Sequence, residues 1–311
     1  MNIFNHFILT KFNVSSSNNK GINEKNAEYL SQRFSLFDDF CYPSVFGQTI
    51  QNFKWLVFFN SLTPDLFKER ISKYREYKNF IPVYVEQKDN LELILRKTIQ
   101  NESCADSKYI ITTNMDNDDS IARDFVKKIQ QNFKEQDREY LSFIYGYELE
   151  IKARELRMRE YLPNPFVSLV EKADDFKTVW SIEHSDLMKI VEPRSIKFIV
   201  DKPLWLQVIH TSNVSNKYDV NSIWQPIERA KKDFIIEKFF QKTNILSNLK
   251  EIFVHIYQLL RSKRKRDRGI RKIRKIIGIL SPSFLRTFRL IKIGLERKKF
   301  KINVAEKAGT Q

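Results

Sequence analysis

Three carboxylates stand within four residues, at Asp116, Asp118 and Asp119, directly after the apolar run Tyr109–Thr113. Like charges this dense repel one another unless a cation or hydrogen-bond donors compensate them. Mg²⁺ and Mn²⁺ take oxygen ligands and are commonly shared between one or two protein carboxylates and substrate phosphates, so the loop suits a diphosphate-bearing ligand. A metal there would act as a Lewis acid on a departing diphosphate. The plainer alternative is that Asp118 or Asp119 caps a helix beginning near Ser120 while the other acids are solvated. His210 ends the apolar run Leu204–His210 and is a candidate third ligand with Asp116 and Asp118, since neutral imidazole coordinates divalent metals. Its alternative is a structural histidine at a strand end.

The elements that must hold these groups alternate. Strands are expected over His6–Val14, Phe53–Asn60, Phe80–Val85 and Tyr109–Thr113. Helices are expected over Asn26–Phe40, after Thr63-Pro64-Asp65, over Leu91–Ile99, and where Ile121, Phe125, Ile129 and Phe133 recur. Such alternation argues for a mainly parallel α/β sheet. After the apolar run Tyr140–Leu149 the alternation decays into less regular sequence, in which further strands fit Ile196–Val200 and Leu204–His210. In open α/β sheets ligands bind beyond the carboxyl ends of the strands, where Lys11–Asn13, Ser61–Thr63 and Asn114–Asp119 would converge.

Charge divides the chain in two. The 311 residues carry 54 Lys+Arg against 38 Asp+Glu, a formal +16. Between Arg261 and Lys301 there are 17 basic residues and two acids, Asp267 and Glu296, so this segment holds +15 and the rest is almost neutral. The near-neutral body is long enough to bury the core of one large domain or two small ones. No apolar run reaches the roughly 18–20 residues of a bilayer span, and no apolar stretch follows a basic start at the N-terminus. An integral protein and classical secretion are therefore not expected. Cys41 and Cys104 are too few and too far apart for a disulfide framework or a zinc site, and both read as inert in a reducing cytosol.

The run Thr112–Ile121 (TTNMDNDDSI) resembles the TRxDNDDAI-type signature of the putative rhamnosyltransferase family of GT-A-like glycosyltransferases. Leu9–Asn13 is similar to that family's LTRF opening, and Arg33, Phe37, Tyr42-Pro43-Ser44, Gln48-Thr49 and Phe53-Lys54-Trp55 follow its R…LF…PS…QT…F.W stretch. Gly146-Tyr147, Asn164-Pro165-Phe166, Glu171, Trp205–His210 and Asn213 keep the family order, so the resemblance covers roughly residues 5–215. Lys11 stands where Arg is usual, Asn114 replaces the Arg before the acids, and Thr211 stands where Gly is common.

The resemblance implies a GT-A-like fold, that of nucleotide-diphospho-sugar transferases, with a mainly parallel sheet flanked by helices. It also implies a nucleotide-sugar donor and a divalent metal, Mn²⁺ or Mg²⁺. Asp116 is then expected near donor ribose or metal, and Asp118 as the principal metal ligand. Thr10, Lys11, Arg33, Gln48, Asp116 and Asn117 become candidate donor contacts. An inverting transfer needs a group that takes the acceptor hydroxyl's proton. Glu183, His184 and Asp186 are the candidates, with Glu171 behind them; for each the alternative is a surface or helix-end charge. Trp55, Trp180 and Trp205 adjoin apolar runs and read as core.

In the basic segment, Ile270, Ile273, Ile277 and Leu280 recur at helical spacing with Arg271, Lys272, Arg274 and Lys275 between them. After Pro282 the pattern repeats at Phe284, Phe288, Ile291 and Leu295. Apolar stripes flanked by Lys/Arg suit an anionic membrane surface. Packing on the body or self-association is the alternative, and nucleic acid is disfavoured because no nucleic-acid motif accompanies the charge.

The expected organisation is a GT-A-like domain over 1–250, a basic amphipathic helical tail over 251–301 and a disordered C-terminus over 302–311. The expected function is metal-dependent transfer of a sugar, rhamnose by the family label, from a nucleotide-diphosphate sugar to a glycan or lipid-linked acceptor in polysaccharide biosynthesis. The enzyme would be cytoplasmic and peripheral on the inner face of a membrane, its surface contact made through 261–301. The competing reading is a non-catalytic α/β module that docks on membrane or nucleic acid through its tail. A metal-dependent phosphoesterase is a third, and no second acidic cluster supports it.

Overall fold

Consecutive apolar side chains, too many for one face, force the first strands into the interior of a sheet covered on both sides. The computed structural model describes residues 3–14, 27–86, 89–192, 195–210, 218–219, 221–236, 245–264 and 269–291. In the first half, β1 (Phe4–Lys11), β2 (Lys54–Asn60), β3 (Phe80–Val85) and β4 (Tyr109–Asn114) alternate with helices. These are α1 (Ala27–Leu36), α2 (Tyr42–Phe46), α3 (Asp65–Tyr74) and α4 (Leu91–Glu102), with a π-helical turn, Phe37–Cys41, between α1 and α2. Then follow β5 (Ser120–Ile121), α5 (Phe125–Gln131), β6 (Glu139–Phe143), β7 (Tyr145–Glu150), β8 (Glu155–Glu160) and β9 (Ser168–Lys172). The chain continues through α6 (Leu187–Ile190), β10 (Ile196–Ile199), β11 (Trp205–Ile209), β12 (Ile223–Gln225), α7 (Glu228–Lys231), α8 (Ile245–Arg261) and α9 (Ile270–Leu280).

The main sheet has seven strands in the order β10-β6-β9-β4-β1-β2-β3. All run parallel except β9, which lies antiparallel between β6 and β4. The mainly parallel α/β sheet flanked by helices that the sequence predicts is the one the chain adopts, with a second sheet added. That sheet, β12-β8-β7-β11-β5, is antiparallel apart from the β11–β7 pair.

The apolar run Tyr140–Leu149 divides between the two sheets: β6 enters the first and β7 the second. Within β7, Gly146 lies beneath Trp205, and a Cβ built at 146 would stand 1.9 Å from the indole. Trp205 is fully buried and stacks on Phe166, with ring centroids 5.5 Å apart. Trp55 and Trp205 are core, as expected.

The helix expected to start near Ser120 starts instead at Phe125. Ser120 and Ile121 pair with Leu206 and Trp205 on β11. α8 crosses the boundary expected at residue 250. The predicted helix over Ile270–Leu280 is α9, and a helical segment covers 282–291 after Pro282. Ser15–Gly21, Thr211, Asn213, Leu295 and 302–311 lie outside the described residues. Among those described, no helix is long and apolar enough to cross a membrane.

Candidate active site

β1 and β4 are paired with Leu9 opposite Asn114, so Lys11 and the acidic loop emerge together at the carboxyl edge of the sheet. Asn117 fastens them: its Nδ2 donates to the carbonyls of Lys11 at 3.1 Å and Phe12 at 2.6 Å. Asp119 fastens the other side, its Oδ1 accepting the Val208 N–H of β11 at 2.8 Å. The helix-capping alternative for Asp119 therefore gives way to a bond between loop and second sheet.

Between these anchors, two donors converge on one oxygen. Asp118 Oδ2 receives Arg33 of α1 at 2.9 Å and His210 Nε2, just beyond β11, at 2.8 Å. Burial opposes ionisation of Asp118, yet the His210 hydrogen bond and the Arg33 charge outweigh it and hold the carboxyl below its ordinary value. Asp119 goes the other way: burial and the charges of Asp118 and Asp116 keep its carboxyl well above the ordinary range. Asp116 reaches solvent. The protein crowded around it, followed by the Asp118 charge, raises its carboxyl to about 6, against opposing contributions from Asn114, Arg33 and Lys11. Exposure makes the crowding contribution weaker at Asp116 than at its buried neighbours. The three acids thus differ in how readily they ionise, and their mutual repulsion is part of what raises Asp116 and Asp119. Beside them the Cys41 thiol is pushed up by burial and by the acids, and it stays protonated as its inert reading requires.

Arg33 also resolves the departure at Asn114. Where the family carries a basic residue, Asn114 instead accepts the indole N–H of Trp180 at 2.7 Å and donates to the Pro165 carbonyl at 2.8 Å. The positive charge comes from α1. Trp180, expected in the core, is half-buried at the site, with Lys11 Nζ 4.7 Å from its ring centroid. One clue to this is local: Trp180 opens the polar segment that holds the base candidates.

Several expected donor contacts are occupied by the protein itself. Thr10 Oγ1 accepts the Trp55 indole N–H at 2.9 Å. Gln48 spends its whole amide on backbone, donating to the carbonyls of Ser44 and Ala122 and accepting from the Val126 N–H. Asn117 is spent likewise through Nδ2, while its buried Oδ1 has no partner. Glu171 accepts the backbone N–H groups of Lys177 at 3.0 Å and Thr178 at 2.9 Å, which fixes a turn and takes both oxygens from base chemistry. Lys11, Arg33 and Asp116 remain at the open edge.

The three base candidates separate by environment. Glu183 is exposed. Asp186 pairs with Lys189 at 2.8 Å on the surface at the start of α6. His184 is half-buried, its ring 6.2 Å from that of Tyr161, which in turn stacks under the Arg159 guanidinium at 3.8 Å. Burial, chiefly, lowers the His184 pKa and keeps the imidazole neutral.

The donor set can be tested for a metal. Among the described residues, no three His, Cys, Asp or Glu side chains gather closely enough to form a protein cage for an ion. Asp118 Oδ2 and His210 Nε2 do meet, with Asp116 open beside them. One carboxylate and one imidazole fit a cation that completes its coordination with ligand phosphates. They do not fit a permanently caged structural ion.

A family model described as "Putative rhamnosyl transferase" matches residues 18–222, more than half of the chain. The chain belongs to this family of glycosyltransferases. No curated protein matches it. Among solved structures it is similar to Staphylococcus aureus TarS 1–349 in complex with UDP, at 11% identity and TM-score 0.40, covering 67% of this chain and 61% of that one. It is also similar to the mannosyltransferase PcManGT from Pyrobaculum calidifontis in complex with GDP-Man and Mn²⁺, at 9% identity and TM-score 0.37, covering 67% and 58%. The chain thus spans less than two thirds of the length of these solved relatives.

Proposed function

We propose that the chain transfers a hexose, rhamnose in the family's description, from a nucleotide-diphosphate sugar to a glycan or lipid-linked acceptor. The reaction is metal-dependent and takes place at the cytoplasmic face of a membrane. The observation that carries this reading is the convergence of Arg33 and His210 on Asp118 at the carboxyl edge of β1 and β4, with Asp116 open beside them. Asp118 and His210 would hold Mn²⁺ or Mg²⁺, with Asp116 at the metal or the donor ribose. When bound, the ion supplies Lewis-acid compensation for the diphosphate.

The chain's own residues do the rest. Arg33 and Lys11 place positive charge where the diphosphate would lie, and the bond from Trp180 to Asn114 ties the Trp180–Asp186 segment to that edge. His184, kept neutral, takes the proton of the acceptor hydroxyl. Asn117 and Asp119 hold the loop rigid, so little reorganisation is needed on binding.

Incubating the full chain with a nucleotide-sugar panel, with Mn²⁺ or with EDTA, tests the reading. Donor hydrolysis or transfer should require metal and be lost in Asp118→Ala. Activity indifferent to both EDTA and that substitution would overturn the metal assignment.

A further inference from the structure

The surface between the helical tail and the second sheet forms a groove of about 640 Å³ far along the chain from the acidic loop. Its lining includes Arg157 of β8, Arg261, Arg264 and Lys275, with Asp219 the only acid among the described lining residues. The floor is aromatic: Trp224 of β12 stacks on His255 of α8 at 3.8 Å, and Arg157 lies 4.5 Å over Tyr218. Buried beside the groove, the Arg157 Nε has no hydrogen-bond partner. Arg157 is already shared with Glu155 at 2.6 Å, and with Arg261, Arg264 and Lys275 beside it and Asp219 opposite, the recess keeps a net positive charge that attracts phosphate-sized anions.

The wall of this groove is α8, and α8 has two apolar rows. Ile252, Ile256 and Leu259 turn inward and pack against the core. Leu246, Leu249, Phe253, Tyr257 and Leu260 follow one another at spacings of three and four, which places them on one stripe, and all are exposed, Leu246 at 72% and Phe253 at 70%. Phe284, Phe288 and Ile291 of the 282–291 helix are exposed as well. Monomeric proteins rarely leave such rows in water unless they meet a partner or a membrane.

Cations bordering the outer row, including Arg261 at its end, choose the partner. A nucleic acid would use the charge and leave Phe253 and Leu260 in water. A second copy would cover the row but bring two cationic rims together. An anionic bilayer satisfies both, accepting the apolar row at its surface and offering phosphate to the groove.

We propose that α8 docks on an anionic bilayer by its outer apolar row, and that the groove lined by Arg157, Arg261, Arg264 and Lys275 binds the phosphate-bearing headgroup of a lipid. This rests on the membrane part of the function proposed above and relocates it. The basic helix α9 does not lie on the bilayer by its buried face: Gly278 and Ile279 pack on β12, Gln225 donates to the Gly278 carbonyl at 3.0 Å, and Arg274 pairs with Glu160 at 2.6 Å.

Flotation of the full chain with phosphatidylcholine vesicles, with and without phosphatidylglycerol, tests the surface. The wild type should bind the phosphatidylglycerol vesicles about 10-fold or more tightly than the neutral ones at low salt. Phe253→Ser with Leu260→Ser should weaken binding to both by about 10-fold or more, with an unchanged thermal melt because both side chains are exposed. Arg261→Ala with Arg264→Ala and Lys275→Ala should abolish the preference for the anionic vesicles and keep the weaker neutral binding. Soluble glycerol phosphate should not displace the protein; displacement would assign the groove to a free phosphate compound and overturn the lipid. Equal binding to both vesicles, or a wild-type dimer that Phe253→Ser turns into a monomer, would overturn it too. Vesicle binding is read without donor, so its failure leaves the transfer reaction to stand or fall by its own assay.

Discussion

The acidic loop and the helical tail handle charge in opposite ways. In the loop each carboxylate has its own environment: Asp118 is charged between Arg33 and His210, Asp119 is raised and anchored to β11, and Asp116 is open. Little there is spare beyond the buried Asn117 Oδ1 and Ser120 Oγ, which have no hydrogen-bond partner. In the tail, cations and large apolar side chains stand exposed side by side, and only one face of α8 and one of α9 are used for packing. A buried polar group without a partner is costly, so a site built from buried acids must be nearly complete before any ligand arrives. An exposed helix bears no such constraint and can keep its groups ready for a surface that the protein does not itself supply.

The first way to break this contrast is at Asp118. Asp118→Asn keeps the shape and removes the charge that both Arg33 and His210 meet, so donor turnover should fall by about 100-fold or more, a loss typical of a charged group acting on the reacting phosphates. The kinetic assay with Mn²⁺ checks it, and circular dichroism checks that the fold survives. Turnover within a few-fold of wild type would mean that Arg33 and His210 gather there for structure alone. Next in size is Gly146→Ala. The added methyl meets a buried indole that has no room to move, and overpacking of this kind costs about 1–3 kcal/mol. Chemical denaturation should show that loss, whereas Phe253→Ser on the exposed row should leave the midpoint nearly unmoved.

How much of this the sequence discloses follows the same division. Continuous apolar runs announced β2, β3 and β4 nearly to the residue, and the alternating helices announced the sheet, because burial on both faces leaves a strong pattern. The acidic loop was legible because charge so dense needs an explanation. Its wiring was not. Nothing local in Arg33 says that it crosses 85 positions to reach Asp118, and nothing local in Gln48 or Thr10 says that their polar atoms are spent within the fold. The split of Tyr140–Leu149 between two sheets was hidden for a related reason, since one apolar run reads the same whether it serves one sheet or two. α9 shows the limit from the other side: its amphipathic period was plain, yet which surface its apolar face meets depends on β12, contributed some 50 residues earlier.

A smaller effect separates the body by its response to acid. His6 of β1 is buried, bonded through Nε2 to Thr113 Oγ1 at 2.9 Å, and burial lowers its pKa from the ordinary 6.5 to about 3. The folded protein therefore keeps His6 neutral where the unfolded chain takes up a proton. Stability is untouched above the unfolded value, and it is lost progressively as pH falls from about 6.5 toward 3. The loss should be roughly 1 kcal/mol over the first pH unit, measured by denaturant titration, and His6→Gln should flatten that slope. An equally steep slope in the variant would assign the acid sensitivity to other groups.

The smallest change expected is at the join between the two regions. Arg274 and Arg289 both pair with Glu160, at 2.6 and 3.3 Å, and the Arg274 side chain is 41% exposed. Exposed ion pairs contribute about 0–1 kcal/mol, and here a second cation remains when one is removed. Arg274→Ala should therefore lower the melting temperature by no more than a degree or two and leave the tail as resistant to brief proteolysis as before. The apolar seam of Gly278, Ile279 and Leu285 against Ile223 then holds α9 in place. If the variant's tail is instead cut rapidly, α9 is held by charge, its apolar face becomes available for exchange, and the distinction between a committed inner face and an uncommitted outer one belongs to α8 alone.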